Sequence, residues 1–288
     1  MSIYTDLAGT QIKYYQNKYK TRVIEASGSA GDSLICLHGI GGHAEAYSRN
    51  IKRLGERFNV YAMDFLWHGF SQKEPFTSEW LPALGSQVLD LMDAIGIEQA
   101  HIEGESLGGW VTIWLALNHP NRIKKIILNT SAGVRHAVQN ERPAEGRTLL
   151  AQRSIDALNN LSRETVKKRL EWLVVDPERI TDELIDLRYQ IYAQVDTKKA
   201  LSQLYAHSFG AGTSEQFEFS KEDLAKISVP TLVLWSEKNP GTGPEAGRRL
   251  AEIIPNASFY CINDAGHWPQ WEKAEEHDRV VTAFLSGQ

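Results

Sequence analysis

Short β-like runs alternate with stretches of helical periodicity through the first part of this 288-residue chain, and few folds accept that alternation. Residues 33–37, 59–65, 100–103 and 125–129 read as strands. The unbroken apolar character of 33–37 suits a strand buried on both faces of a parallel sheet. Helical patterns fill the intervals at 44–56, 81–95 and 110–118, the second stopping at Gly96, a good helix terminator. Residues 11–16 and 21–26 precede them as an opening hairpin. The alternation breaks over 134–222, a polar helical block rich in Arg, Gln, Glu and Leu, and resumes with a strand at 231–235, a helix at 245–254, a strand at 258–262 and a final helix at 274–285. The expectation is an α/β architecture: a mostly parallel eight-stranded sheet flanked by helices, its core formed by residues 1–133 and 223–288. The block 134–222 is expected as a helical lid over the carboxyl ends of the strands, where ligands bind in such folds.

Bulk properties narrow the function. The formal charge is −5 with no basic block, so nucleic acid is not an expected partner. No apolar run approaches the roughly 18 residues of a membrane span. The first ten residues lack the basic start and apolar stretch of a signal peptide. Cys36 and Cys261, the two cysteines, sit in strand-like apolar runs, which implies no disulfide framework and fits a reduced cytoplasm. A small-molecule substrate is the expected partner. The oligomeric state stays open, a homodimer being compatible. No metal cluster is evident, and Gly39-Ile40-Gly41-Gly42-His43 is not the dinucleotide pattern G-x-G-x-x-G, so no cofactor is expected.

Gly104-Glu105-Ser106-Leu107-Gly108 fits G-x-S-x-G. The pentapeptide is loose, but it lies between a strand and a helix, where a nucleophile elbow belongs. Ser106 would then sit at a helix N-terminus, whose free N–H groups favour developing negative charge. An acyl-transfer site needs donors for the oxyanion. The N–H of Leu107 is one, and the N–H of Ile40, in the glycine-rich loop after the first core strand, is assigned as the other. Among nine histidines, His267 follows the last strand, where the chain order Ser, acid, His places the base. His43 and His68 are weaker candidates on loops at the same edge; His101, His119, His136, His207 and His277 read as structural or solvated. The acid should follow the strand 231–235, yet the expected position holds Asn239. Its amide oxygen can orient His267 but cannot balance an imidazolium, a loss that costs roughly 10⁴-fold in a Ser–His system. Three explanations stand: a Ser-His-Asn arrangement on an undemanding substrate, substitution by Glu237 or Asp264, or a slow or inactive enzyme.

From Ser33 to its end the chain resembles the α/β-hydrolases, and within them the meta-cleavage product hydrolases, which cut carbon–carbon bonds in ring-fission products of aromatic degradation. Gly266-His267-Trp268-Pro269-Gln270-Trp271-Glu272 resembles the segment around their base, and the spacing from Asn239 to His267 equals their acid-to-base spacing. Residues 180–189 resemble their lid helix, whose arginine binds the substrate carboxylate; the resemblance gives that role to Arg188. It implies that a dienol substrate ketonises, that Ser106 or a nearby water attacks the carbonyl, that His267 shuttles protons, and that Ile40 and Leu107 hold the oxyanion. Trp268 and Gly39 are expected to line the substrate site, and residues 64–71, with Asp64, His68 and Gly69, to support its wall. Asn239 departs from the family's Asp. So does Glu105, where the family commonly has a small polar residue. A carboxylate there would repel an anionic substrate unless neutralised, for instance by Arg188. Rival readings follow: an ester or lactone hydrolase on a neutral substrate, a binding protein on a weakened hydrolase fold, or a cofactor-free lyase or oxygenase that keeps His267 and spares Ser106.

Overall fold

The computed structural model describes residues 2–27, 31–138, 145–210 and 215–287, with the His136 side chain outside the description. Eight strands form one sheet: β1 (Gln11–Gln16), β2 (Lys20–Ser27), β3 (Ser33–Leu37), β4 (Asn59–Met63), β5 (Ala100–Glu105), β6 (Ile123–Asn129), β7 (Thr231–Ser236) and β8 (Ala257–Ile262). They are ordered β1-β2-β4-β3-β5-β6-β7-β8. β2 runs antiparallel to β1 and β4; the other pairings are parallel. Every residue of β5 and β7 is buried, as expected where helices cover both faces, although β5 carries His101, Glu103 and Glu105.

Topology fixes where a site can form. From β3 the chain crosses to β4 on one side and then returns to β5 on the other. The loops leaving β3 and β5 therefore emerge side by side at a topological switch point, at the carboxyl edge of the sheet. The oxyanion-loop candidate follows β3, and the Ser106 elbow follows β5.

Between β6 and β7 the described chain is helical, chiefly Glu145–Asn159, Arg163–Glu171, Asp182–Tyr192 and Val195–Phe209. Local sequence sets these starts. Ser162 and Thr165 close a reciprocal capping box, and Thr181 accepts from the Leu184 N–H. Glu183 reaches back to accept from the Ile3 N–H at 2.7 Å, tying this segment to the N-terminal turn. The parts of the expected 134–222 block at 139–144 and 211–214 lie outside the described residues.

One element differs from expectation. Residues 44–56 do not form a single helix: Ala44–Tyr47 is a 3₁₀ turn and Ser48–Leu54 the helix. A buried ionic cluster holds the turn. Arg22 pairs with Glu45 at 2.6 Å and with Asp64 at 3.2 Å, and Asp64 also accepts from the Ala44 N–H at 2.7 Å and the Phe70 N–H at 2.8 Å. Asp64 thus ties the 64–71 loop to the turn, a structural part. No helix among the described residues is long and apolar enough to cross a membrane.

Candidate active site

Ser106 sits at φ 54°, ψ −110°, a left-handed conformation uncommon for a residue with a Cβ. Its surroundings hold it there. Its N–H donates to the Asn129 carbonyl at 3.0 Å, and its own carbonyl accepts from Trp110 and Ala132. The flanking glycines are steric necessities: a Cβ on Gly104 would collide with the Gly108 carbonyl, and one on Gly108 with the Leu37 carbonyl. β5 runs through Glu105 to the elbow itself, and the helix Leu107–Asn118 starts immediately after, leaving the Leu107 N–H at its first, open turn.

The loop after β3 is pinned from two sides. His38 is neutral, pushed down to about 3 by burial. Its Nδ1–H donates to the Gly39 carbonyl at 2.7 Å, while Nε2 accepts from the Phe65 N–H at 3.1 Å. From the helical segment, Arg169 Nη2 donates to the Ile40 carbonyl at 3.3 Å and the Tyr192 hydroxyl to the Gly41 carbonyl at 3.0 Å.

His267 follows β8, and its Nδ1 lies 2.8 Å from Asn239 Oδ1. Asn239 Nδ2 donates to Thr242 Oγ1 at 3.3 Å, which turns the amide oxygen toward the imidazole. The Trp172 ring meets the imidazole edge-on at a centroid distance of 4.8 Å, and the Thr130 hydroxyl donates to the His267 carbonyl. Neither Glu237 nor Asp264 takes the acid's place. Asp264 is exposed and paired with Lys238 at 2.7 Å, and Glu237 accepts from the Asp264 N–H. The correction has a simple cause: the turn after β8, with Asp264 at φ 49°, directs that carboxylate to solvent.

Glu105 brings a second correction. It does not neutralise itself on Arg188. Its buried Oε1 stands 3.2 Å from His267 Nε2, on the opposite side of the ring from Asn239. Gly39 makes room for it, since a Cβ there would stand 2.5 Å from Glu105 Oε2. Arg188 is buried, with Nη1 3.5 Å from the Tyr192 hydroxyl and with Nε and Nη2 lacking any protein acceptor. Arg169, which the sequence reading passed over, is buried beside it: Nε donates to Ser154 Oγ at 2.8 Å and Nη1 has no acceptor. A signal for it existed. Val166, Arg169 and Leu170 recur at the spacing of a buried helix face, where an arginine is out of place.

Two connected spaces meet at Ser106 and His267. The larger, about 330 Å³, has mostly apolar walls that include Ile40, Leu107, Trp110, Val134, Leu150, Trp172 and Phe209, with Asn239 and Thr242 at one side. The smaller, about 10 Å³, is a polar recess lined by Gly39, Glu105, Arg169, Arg188 and Trp268 along with Ser106 and His267. Ser106, His267, Asn239, Ile40, Leu107, Arg188, Trp268, Glu105 and Gly39 therefore each line one or both spaces, whereas His43, His68, Asp64, Glu237 and Asp264 line neither.

The model of the alpha/beta hydrolase fold matches residues 32–274. The chain belongs to the α/β-hydrolase fold family. This hydrolase is 30% identical to the 2-hydroxy-6-oxononadienedioate/2-hydroxy-6-oxononatrienedioate hydrolase 2 of Pseudomonas putida, over 90% of this chain and 89% of that one. It is 29% identical to the 2-hydroxy-6-oxo-6-phenylhexa-2,4-dienoate hydrolase of Burkholderia cepacia, over 89% and 88% of the two chains. Among solved structures, a serine hydrolase from the polyaromatic hydrocarbon-degrading bacterium Cycloclasticus zankles superposes with a TM-score of 0.83 at 26% identity, covering 97% of this chain and 99% of that one. The hydrolase is thus similar to meta-cleavage product hydrolases along nearly its whole length.

Proposed function

We propose that this hydrolase cleaves the carbon–carbon bond beside a ketone in a meta-cleavage product, a dienoate from aromatic ring fission, beneath a lid formed by residues 134–222. The observation that carries the reading is Arg188: a buried guanidinium with two unused donors, in a recess shared with Ser106 and His267. Buried donors without acceptors are costly, and a substrate carboxylate satisfies them. The carboxylate end of the substrate lies at Arg188 and the substituent on the ketone fills the apolar space. The dienol ketonises. Ser106 Oγ, or a water held near it, attacks the ketone carbon while its proton passes to His267 Nε2. The Ile40 and Leu107 N–H groups receive the oxyanion. As the carbon–carbon bond breaks, its electron pair passes through the conjugated chain to the 2-oxo oxygen, which takes the proton from the imidazolium as the hydroxydienoate departs, and water then releases the acyl group from Ser106. The recess holds no more than about one water, so admitting a carboxylate requires the segment bearing Arg169 and Arg188 to move outward.

Ester hydrolysis is the second reading, favoured by the apolar lining of the larger space, which accepts a neutral acyl or aryl group. Parallel assays separate the two. The purified protein is given 2-hydroxy-6-oxo-6-phenylhexa-2,4-dienoate, followed by loss of dienoate absorbance, and aryl acetates. Arg188→Ala is expected to lower kcat/KM on the dienoate roughly 10²-fold, in line with truncating a buried ion-pair partner, while sparing the ester rate. An ester reaction faster than the dienoate reaction and untouched by Arg188→Ala overturns the carbon–carbon reading.

A further inference from the structure

The imidazole of His267 has a carboxylate partner, but on the unexpected side of the ring. We infer that Glu105 is the charge partner of His267, replacing from the nucleophile's side the negative charge that Asn239 cannot supply from behind. This rests on the Ser106–His267 reading above.

The hydrogen-bond inventory leads there. Asn239 Oδ1 can only accept, so His267 Nδ1, 2.8 Å away, carries a hydrogen. Nε2 faces Glu105 Oε1 at 3.2 Å. Two lone pairs do not face each other at that distance in a buried site, so the resting pair shares one proton. Catalysis needs the form that has lost it: a neutral imidazole with Nε2 open and an ionised Glu105. When Ser106 Oγ then bonds to an electrophile, its proton moves to Nε2, and the new imidazolium stands beside a carboxylate. Asn239 keeps the task of orientation, supported by Thr242. Glu105 is a positioning and charge-balancing residue, and charged and polar groups surround it. Arg169 and Arg188 from the lid helices line the same recess, and Tyr47 lies near from the turn after the β3 loop. On the far side of the His267 turn, Glu272 accepts from the Gly266 N–H at 2.6 Å.

The test is the rate at which a fluorophosphonate labels Ser106, measured against pH in the full-length protein and in Glu105→Gln, Asn239→Asp and the double variant. Labelling forms the Oγ–P bond, expels fluoride and needs the same proton transfer to His267, whatever the natural substrate. An ionised Glu105 stabilises the imidazolium, so Glu105→Gln should move the acidic limb of the profile to lower pH. It should also lower the plateau, by roughly 10²- to 10⁴-fold on the scale of a lost triad carboxylate. Adding Asn239→Asp to Glu105→Gln should restore the plateau at least tenfold, whereas Asn239→Asp alone, with two carboxylates flanking one ring, should gain less. That dependence on background is the coupling a double-variant cycle measures, and a purely structural glutamate would not produce it. If Glu105→Gln labels like the native protein, with the same pH limb, the inference fails while the Ser–His reading stands. If the native protein and Ser106→Ala are equally inert, both fall.

Discussion

The most exacting prediction concerns a buried ion cluster under the active-site strand. Glu103 in β5 lies two residues before Glu105, a spacing that puts both on the same face of the strand. His277, in the helix Ala274–Ser286, approaches it with Nε2 at 2.7 Å from Oε1, and presents Nδ1 to Asp278 at 3.0 Å. All three are fully buried. Burial alone opposes charge on His277, but the attraction of Glu103 and the hydrogen bonds to Asp278 and Glu103 outweigh it and push the imidazole up to about 10. In His277→Ala, Asp278 keeps Asn50 at 2.7 Å and Arg53 at 2.5 Å, while among the described residues Glu103 is left with Asn129 at 3.3 Å. Removing one member of a buried pair costs about 3–5 kcal/mol, which in a chain of this size lowers Tm by about 6–15 °C. The sign with pH is fixed. The folded pKa lies above the unfolded one, so the contribution is complete below the unfolded value of 6.5 and is lost as pH rises toward about 10, at up to about 1.4 kcal/mol per unit. Melting curves of the native protein and His277→Ala, followed by circular dichroism from pH 6 to pH 10, should show the gap between them narrowing with rising pH. A variant that melts within about 2 °C of native at pH 6.5, or a gap that does not narrow, refutes the charged cluster.

Three further outcomes are expected. Burial holds His38 at about 3 and His101 at about 4, and lowers His43 and His68; all four must gain a proton on unfolding in acid, so stability is complete above pH 6.5 and falls below it, and a Tm at pH 5 equal to that at pH 7.5 would contradict this. Gly41, at φ +69° with the Tyr205 hydroxyl where a Cβ would go, should not tolerate alanine: Gly41→Ala should lose about 1–3 kcal/mol in urea unfolding and label more slowly with fluorophosphonate. Gly39→Ala, with its Cβ 2.5 Å from Glu105 Oε2, should displace that carboxylate and reproduce the shifted acidic limb of Glu105→Gln.

Much of this was legible before any coordinates. The continuous apolar run at 33–37 marks a strand covered on both faces, whereas β5, with His101, Glu103 and Glu105 all buried, declares itself only by its place in the alternation. The elbow was legible because only a glycine-flanked turn can hold Ser106 where it sits. Position along the chain sufficed to nominate His267 and Asn239. Partnership was harder to read. Glu105 was visible as an oddity, but its partner depends on a side-chain direction set by the space at Gly39. The reading that matched it with Arg188 counted charges without knowing that His267 stood nearer. Arg169 is hard to single out in sequence because a polar helix declares which face is buried only when its neighbours are in place. The 3₁₀ start at Ala44 depended on Asp64, twenty residues on, capturing its N–H.

The electrostatics of the recess reconcile the two departures from family pattern with an anionic substrate. A glutamate before the nucleophile would repel a carboxylate if it stood alone. Here its charge is shared with His267 at 3.2 Å, and two guanidinium groups line the same small space. Counting Arg169 and Arg188 against Glu105 leaves one positive charge uncompensated when His267 is neutral, and two when it carries a proton. Burying such a charge without a partner costs several kcal/mol, and burial does weaken the hold of Arg169 on its proton. An incoming carboxylate supplies the missing charge and satisfies donors on both arginines. A neutral ester supplies neither and leaves that cost in place. The pairing of Glu105 with His267 therefore strengthens the case for an acid substrate that its sequence position alone had weakened.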